Sequence, residues 1–223
     1  MTRLVTVAHG TRTATGNQVA VQITAAAGRR LGIEATASYV ELCEPLFADV
    51  VADGFPGRTV AVPLLLSTGV HVRRDLPAAV AAGGAADRVA LGRPFGPDPL
   101  LTAALAERLR ESGADAGQPV VMVAAGSTDP AAMTDLEGAV AMLAQAWGGP
   151  VRLATLAGLG SRPVDVVEPG DAVSPYLLAT GHFDRRLREE SRAAGATVIA
   201  DVIGPHPSVV DLVVERAGAL GVG

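Results

Sequence analysis

The chain has 223 residues and a formal net charge of −5, with 49 % hydrophobic and 18 % charged residues. That composition supports a substantial core and excludes a disordered chain, and the acidic balance argues against nucleic acid, whose binding needs a clustered basic surface. Every basic side chain is arginine and there is one cysteine, so lysine Schiff-base and P-loop lysine chemistry, intrachain disulfides and cysteine-rich metal cages are all excluded.

The chain opens on LVTVAHGTR, Leu4 to Arg12. Four of its first five residues are apolar and run into a histidine and a glycine, the pattern of a short buried strand that stops in a loop. No charged leader or long apolar segment precedes it, and the longest apolar runs, such as VAVPLLL, fall far short of a membrane span. A cytoplasmic protein without membrane contact is expected. After this strand, residues 17–31 have helical composition with Gly32 as a stop. A strand is expected over 35–40, a helix over 45–52, a buried strand over 59–66 and a helix over 74–82 that ends at Gly83-Gly84. A short strand over 88–91 and a helix over 99–110 complete the first half. This β-α-β-α order predicts a parallel sheet with helices on both faces.

The polar stretch SGADAGQ, 112–118, reads as a linker, and the pattern then restarts. VMVAAGST (121–128) aligns with VTVAHGTR (5–12). YLLATGHFDRR (176–186) aligns with LLLSTGVHVRR (64–74), and GPHPSVVDLVVERA (204–217) with GPDPLLTAALAERL (96–109). Three ordered matches at nearly constant spacing mark a duplication. The expected fold class is α/β, with two tandem similar domains over 1–113 and 119–223, each a small parallel sheet flanked by helices. One chain then forms an internal pseudo-dimer, so a monomer is expected. The second copy has Ala125 for His9, Gly158 near the place of Glu41, and Phe183 opposite His71 with His182 one position earlier. The polar set is complete only in the first copy, which predicts one active and one supporting half.

In a parallel sheet, ligands bind at the carboxyl ends of the strands. His9, Glu41 in YVELC and His71 in STGVH stand at three successive strand ends, and imidazole with carboxylate suits a divalent first-row metal or proton transfer near neutral pH. One such histidine alone reads as a structural residue; three groups at three strand ends read as a site. Glu41, in an apolar stretch, is expected to be partly desolvated. Glu44, beside Pro45, better fits a helix-start role, and Cys43 reads as a small buried thiol. Arg12, Arg73, Arg74 and Arg93 follow strand ends, and guanidinium forks suit carboxylates or phosphates. Ser67, Thr68 and Gly69 form a polar loop ahead of His71, where Gly69 permits close approach of a ligand. His206, between prolines and aligned with Asp98, reads as a turn residue.

AHGTR, YVELCEP and PLLLSTGVHVRRDLP together resemble the sirohydrochlorin chelatases, the type II chelatases of sirohaem and cobalamin synthesis, in their long, duplicated form. The resemblance spans the chain. It implies a lyase that inserts Fe(II) or Co(II) into sirohydrochlorin with release of two protons, in a cleft between two similar α/β domains. It makes His9 and His71 the metal-binding and proton-accepting pair and Glu41 the accompanying acid. Arg12, Ser67, Thr68, Gly69, Arg73 and Arg74 become candidates for the polycarboxylate tetrapyrrole. The metal, whether iron, cobalt or nickel, is then a substrate, and no tightly bound cofactor is expected. Two other readings remain open. A tetrapyrrole- or metal-binding carrier needs the same residues without turnover. A histidine phosphatase resembles the His-Gly after the first strand, but its motif carries arginine where Ala8 stands here.

Overall fold

The computed structural model describes residues 1–222. In chain order the elements are β1 (Thr2–Ala8), α1 (Ala14–Leu31), β2 (Glu34–Tyr39), α2 (Phe47–Ala52), β3 (Arg58–Pro63), a π-helical turn (His71–Asp75) that runs into α3 (Leu76–Ala82), β4 (Val89–Leu91) and α4 (Pro99–Glu111). There follow β5 (Val120–Ser127), α5 (Pro130–Trp147), β6 (Val151–Gly158), α6 (Pro163–Val166), β7 (Ala172–Tyr176), α7 (His182–Ala193), β8 (Val198–Ile199) and α8 (Pro207–Ala219). The strands form two parallel sheets, ordered β2-β1-β3-β4 and β6-β5-β7-β8. The expected duplication is therefore visible in strand order itself.

Alternation along the buried strands sets the layers of the first sheet. Val5, Val7 and Ala61 point to one face, where Phe47, Val50 and Val51 of α2 and Leu76 and Val80 of α3 cover them. Thr6 points to the other face and its hydroxyl pairs with that of Thr24 on α1. Both faces are covered, as an all-parallel sheet requires. α1 stops at Gly32, whose left-handed φ of 66° lets its N–H reach the Gly28 carbonyl.

The compact units do not follow the two halves of the sequence. One unit comprises Met1–Phe95 with Pro205–Gly223, the other Gly96–Gly204. α4, the last helix of the first repeat, packs on α5 and β7 of the second, burying Leu101, Leu105 and Leu109. α8, the last helix of the second repeat, packs on α1 and β3, joined there by an Arg30–Asp211 ion pair. Each repeat thus supplies the closing helix of the other unit, and the expected boundaries at 113 and 119 mark the sequence repeat. The 112–118 stretch lies within the second unit as the turn between α4 and β5, and the chain passes between units at 95–96 and 204–205. The matched capping residues confirm the register: Asp98 accepts from the Leu100 N–H at 3.0 Å and His206 Nδ1 from the Ser208 N–H at 3.2 Å. His206 is thus a helix N-cap, a more specific role than the expected turn residue.

At the opposite end of the first sheet from the strand-end histidines, Arg3 is buried and donates to Thr59 Oγ1 at 3.0 Å, to the Val50 carbonyl at 2.8 Å and to Asp53 at 2.9 Å. The hydrogen bond from Arg3 holds the Asp53 carboxyl below the usual aspartate range. This pairing therefore stabilises the fold fully above the ordinary carboxylate range, and its contribution is lost as pH falls through the lowered Asp53 value. Asp53→Asn is expected to cost about 1 kcal/mol at neutral pH, discounted for the solvent screening of a carboxylate that is partly exposed, and progressively less on acidification. Denaturant midpoints of both proteins across pH check this; a loss that stays constant with pH contradicts it.

Candidate metal-binding site

In the order β2-β1-β3-β4, the chain leaves β1 to one side and returns through β3 on the other, so the carboxyl ends of β1 and β3 border the crevice where such sheets bind ligands. His9 follows β1 directly, Glu41 lies two residues beyond β2, and His71 opens the helical segment after β3. The pairing of β1 with β2 continues past the strands: Val40 N–H donates to the Ala8 carbonyl at 2.9 Å and Glu41 N–H to the His9 carbonyl at 3.2 Å. This ladder sets Glu41 beside His9.

Gly10 makes that approach sterically possible. Its φ is +95°, and a Cβ placed on it would lie 1.9 Å from the Glu41 carbonyl oxygen. The loop beyond is clamped by Asn17 on α1, whose side chain accepts from the Thr11 N–H at 2.9 Å and donates to the Thr11 carbonyl at 2.7 Å. Tyr39 donates its hydroxyl to the Asn17 carbonyl at 3.1 Å, and burial pushes its phenol above the ordinary range, keeping it a neutral donor. Leu42, next to Glu41, sits at φ +67°, a conformation that costs a non-glycine residue about 1 kcal/mol.

His9, Glu41 and His71 each offer one ligand atom, and these atoms all lie within 4.8 Å of one another. His9 Nε2 is 3.8 Å from Glu41 Oε1. The two imidazoles meet edge to face with centroids 4.8 Å apart. Among the described residues this is the group of histidine, cysteine and acidic side chains whose spacing suits a metal ion. The side chains of His9 and Glu41 are about half exposed, at 48 % and 52 %. The expected desolvation of Glu41 is therefore corrected: the carboxylate stands at the open edge of the sheet, where the chain has already left the apolar strand.

His71 also departs from expectation in its setting. It is the first residue of a π-helical turn, not part of a loop. Its Nδ1 lies 2.7 Å from Asp75 Oδ2. Sequence reasoning missed Asp75, although HVRRD carries the i, i+4 spacing of a helical His–Asp contact. Arg73 and Arg74 are exposed on the same turn, Arg12 is exposed in the His9 loop and Arg93 is exposed just after β4. Ser67, Thr68 and Gly69 are half-buried between β3 and the turn, with the Gly69 carbonyl accepting from the Arg73 N–H at 3.0 Å. Cys43 is half-buried, not buried, and donates to the Glu44 carbonyl. The Glu44 carboxylate accepts from the Leu46 N–H just ahead of α2, as a helix-start residue does.

The second sheet repeats the backbone without the two histidines and the glutamate. Gly126, at φ +89°, approaches the Ala157 carbonyl as Gly10 approaches that of Glu41. Ala157 is therefore the counterpart of Glu41, and Gly158, at φ +69°, is the counterpart of Leu42. Strand register aligns Phe183 with His71 and Leu187 with Asp75. His182 is exposed, with its ring against Phe183.

The CbiX family model matches residues 3–112. The chain is 27 % identical over 242 aligned positions to a sirohydrochlorin ferrochelatase of Priestia megaterium, covering 96 % of this chain and 88 % of that protein. It is 28 % identical over 233 positions to a sirohydrochlorin ferrochelatase of Bacillus subtilis, covering 94 % and 88 %. Among solved structures, SirB from Bacillus subtilis with Fe3+ superposes with a TM-score of 0.82 at 24 % identity, covering 98 % of this chain and 95 % of that one. The sirohydrochlorin chelatase SirB from Bacillus subtilis subspecies spizizenii, in complex with cobalt, gives 0.78 at 22 % identity, covering 98 % and 94 %. These structural likenesses establish the shared fold. No described helix is long and apolar enough to cross a membrane. With the similarity to two sirohydrochlorin ferrochelatases running along nearly the whole chain, the repeat that carries His9, Glu41 and His71 belongs to the CbiX family.

Proposed function

We propose that this protein is a lyase that inserts Fe(II) or Co(II) into sirohydrochlorin, with His9, Glu41 and His71 as the site through which the metal passes. The observation that carries this reading is the convergence of two imidazoles and a carboxylate at the carboxyl edge of one sheet, in the repeat that matches the family.

The chemistry has two demands. The incoming M2+ must be held without being trapped, and the macrocycle must lose two pyrrole protons as the metal replaces them. Three protein ligands leave coordination positions open, unlike a closed four-ligand site. Ligand atoms sharing one ion at about 2.1 Å stand about 3.4 Å apart in a tetrahedron, so the half-exposed side chains reach a common metal by modest rotation from their present separations. An imidazole released from the metal accepts a proton near neutral pH. Glu41 offsets the charge of the metal and takes up the second proton for release to solvent. Arg12, Arg73 and Arg74 supply guanidinium forks for the substrate's carboxylates, with Ser67, Thr68 and Gly69 as polar lining. The whole metal site lies on one sheet edge of one chain, so it needs no second subunit.

The test is anaerobic absorbance spectroscopy of sirohydrochlorin with Co(II) or Fe(II) and substoichiometric protein. Accelerated conversion through many turnovers supports the chelatase. A spectral shift without acceleration identifies a carrier instead, and no interaction with the macrocycle rejects both.

A further inference from the structure

We propose that Asp75 is a positioning residue that fixes the tautomer and orientation of His71, a role that rests on His71 being a metal ligand. Asp75 Oδ2 lies 2.7 Å from His71 Nδ1. A carboxylate accepts from that nitrogen only when it carries the proton, which leaves the Nε2 lone pair as the donor to metal. Such a partner also raises the basicity of the ligating nitrogen.

The local backbone explains how this contact is built. Residues 71–75 form a single π-helical turn, wider than an α-turn, so residues four apart stand nearly one above the other. Short π segments inside helices recur at functional sites. Val70 and His71 enter this turn from the loop after β3, and the chain reverts to α-helix at Leu76.

The internal repeat supplies a control within the same molecule. At the matching positions of the second copy, Phe183 replaces His71 and Leu187 replaces Asp75. Leu187 is fully buried against the second sheet, and its helix is regular α from His182 onward. The imidazole, the carboxylate and the π-turn are thus absent together from the copy that has no metal ligands. An aspartate kept only for solubility or helix stability has no reason to follow the histidine in this way. The Asp75 side chain is itself about half exposed and is not among the buried residues of the core, so its removal opens no core cavity.

The experiment is a Co(II) titration of the protein alone, followed by visible absorption, with Asp75→Ala, Asp75→Asn and His71→Ala variants, alongside 15N NMR of the metal-free histidine rings. Asp75→Ala is expected to weaken Co(II) binding by about 10- to 100-fold, to alter the cobalt bands, and to release His71 from the Nδ1–H tautomer. Asp75→Asn, which still accepts from Nδ1–H without a charge, weakens binding less and keeps the tautomer. Wild-type affinity in both Asp75 variants with an unchanged tautomer overturns the proposal. His71→Ala separates the two levels of the argument. If it loses Co(II) while the Asp75 variants do not, only the role of Asp75 fails; if it binds Co(II) as the wild type does, the metal-site reading fails with it.

Discussion

Replacing His9 by alanine is expected to lower catalysed metal insertion by about 10²- to 10⁴-fold while leaving the fold intact. The His9 side chain is 48 % exposed and its neighbours are Glu41 and His71, so no core contact is lost and the stability change should stay within about 0.5 kcal/mol. The activity loss is large because one imidazole serves two steps. In the proposed mechanism it helps hold the metal against the macrocycle, and it accepts a pyrrole proton once the metal has moved on. Removing it leaves Glu41 and His71, a pair that binds the ion more weakly and offers one imidazole base in place of two. Initial rates and thermal unfolding of the same preparations check both halves of this result; undiminished insertion by His9→Ala contradicts the assignment.

Gly10→Ala is expected to cost about 2–4 kcal/mol of stability and to depress insertion in the molecules that remain folded. Its φ of +95° is unfavourable for alanine, and the added Cβ would lie 1.9 Å from the Glu41 carbonyl oxygen, so backbone must move. That movement separates the His9 loop from the strand end that carries Glu41. Gly126→Ala gives the matched comparison, with φ +89° and a Cβ 1.9 Å from the Ala157 carbonyl oxygen. The two substitutions should destabilise comparably, but Gly126→Ala should leave the rate per folded molecule close to wild type, because Ala125 and Ala157 stand there in place of His9 and Glu41. Equal loss of activity in both variants contradicts this account of the Gly10 contact.

Much of this was legible in the sequence. The alternation of strands and helices in the first half and the duplication follow from apolar periodicity and from three pairs of aligned segments. His9, Glu41 and His71 stand out because each is a polar group placed where a buried strand gives way to a loop. The exchange of α4 and α8 was not legible, since similarity between segments says which pieces are alike and not which sheet each one covers. GPDPLL and GPHPSVV begin equivalent helices in both copies, yet each is buried on the partner repeat's sheet.

Two backbone features near the site carry no signal in the sequence. Gly158 does lie near the place of Glu41, one residue beyond the counterpart Ala157; it aligns with Leu42, and a leucine gives no composition signal for positive φ. The sequence predicts a polar loop over 67–69 and a helix only from residue 74, and the π-turn that begins at His71 has no distinctive sequence pattern. The i, i+4 relation of His71 to Asp75 has meaning only on a helical turn, and a helix that begins at residue 74 leaves His71 outside it.

The most direct test is anomalous diffraction at the cobalt edge from crystals of this protein grown with Co(II). The account predicts one peak among His9, Glu41 and His71, with two imidazole nitrogens and a carboxylate oxygen at about 2.0–2.2 Å, and none beside Ala125, Ala157 and Phe183. A peak on the second sheet, or full cobalt occupancy at a site that does not involve these three side chains, would contradict it.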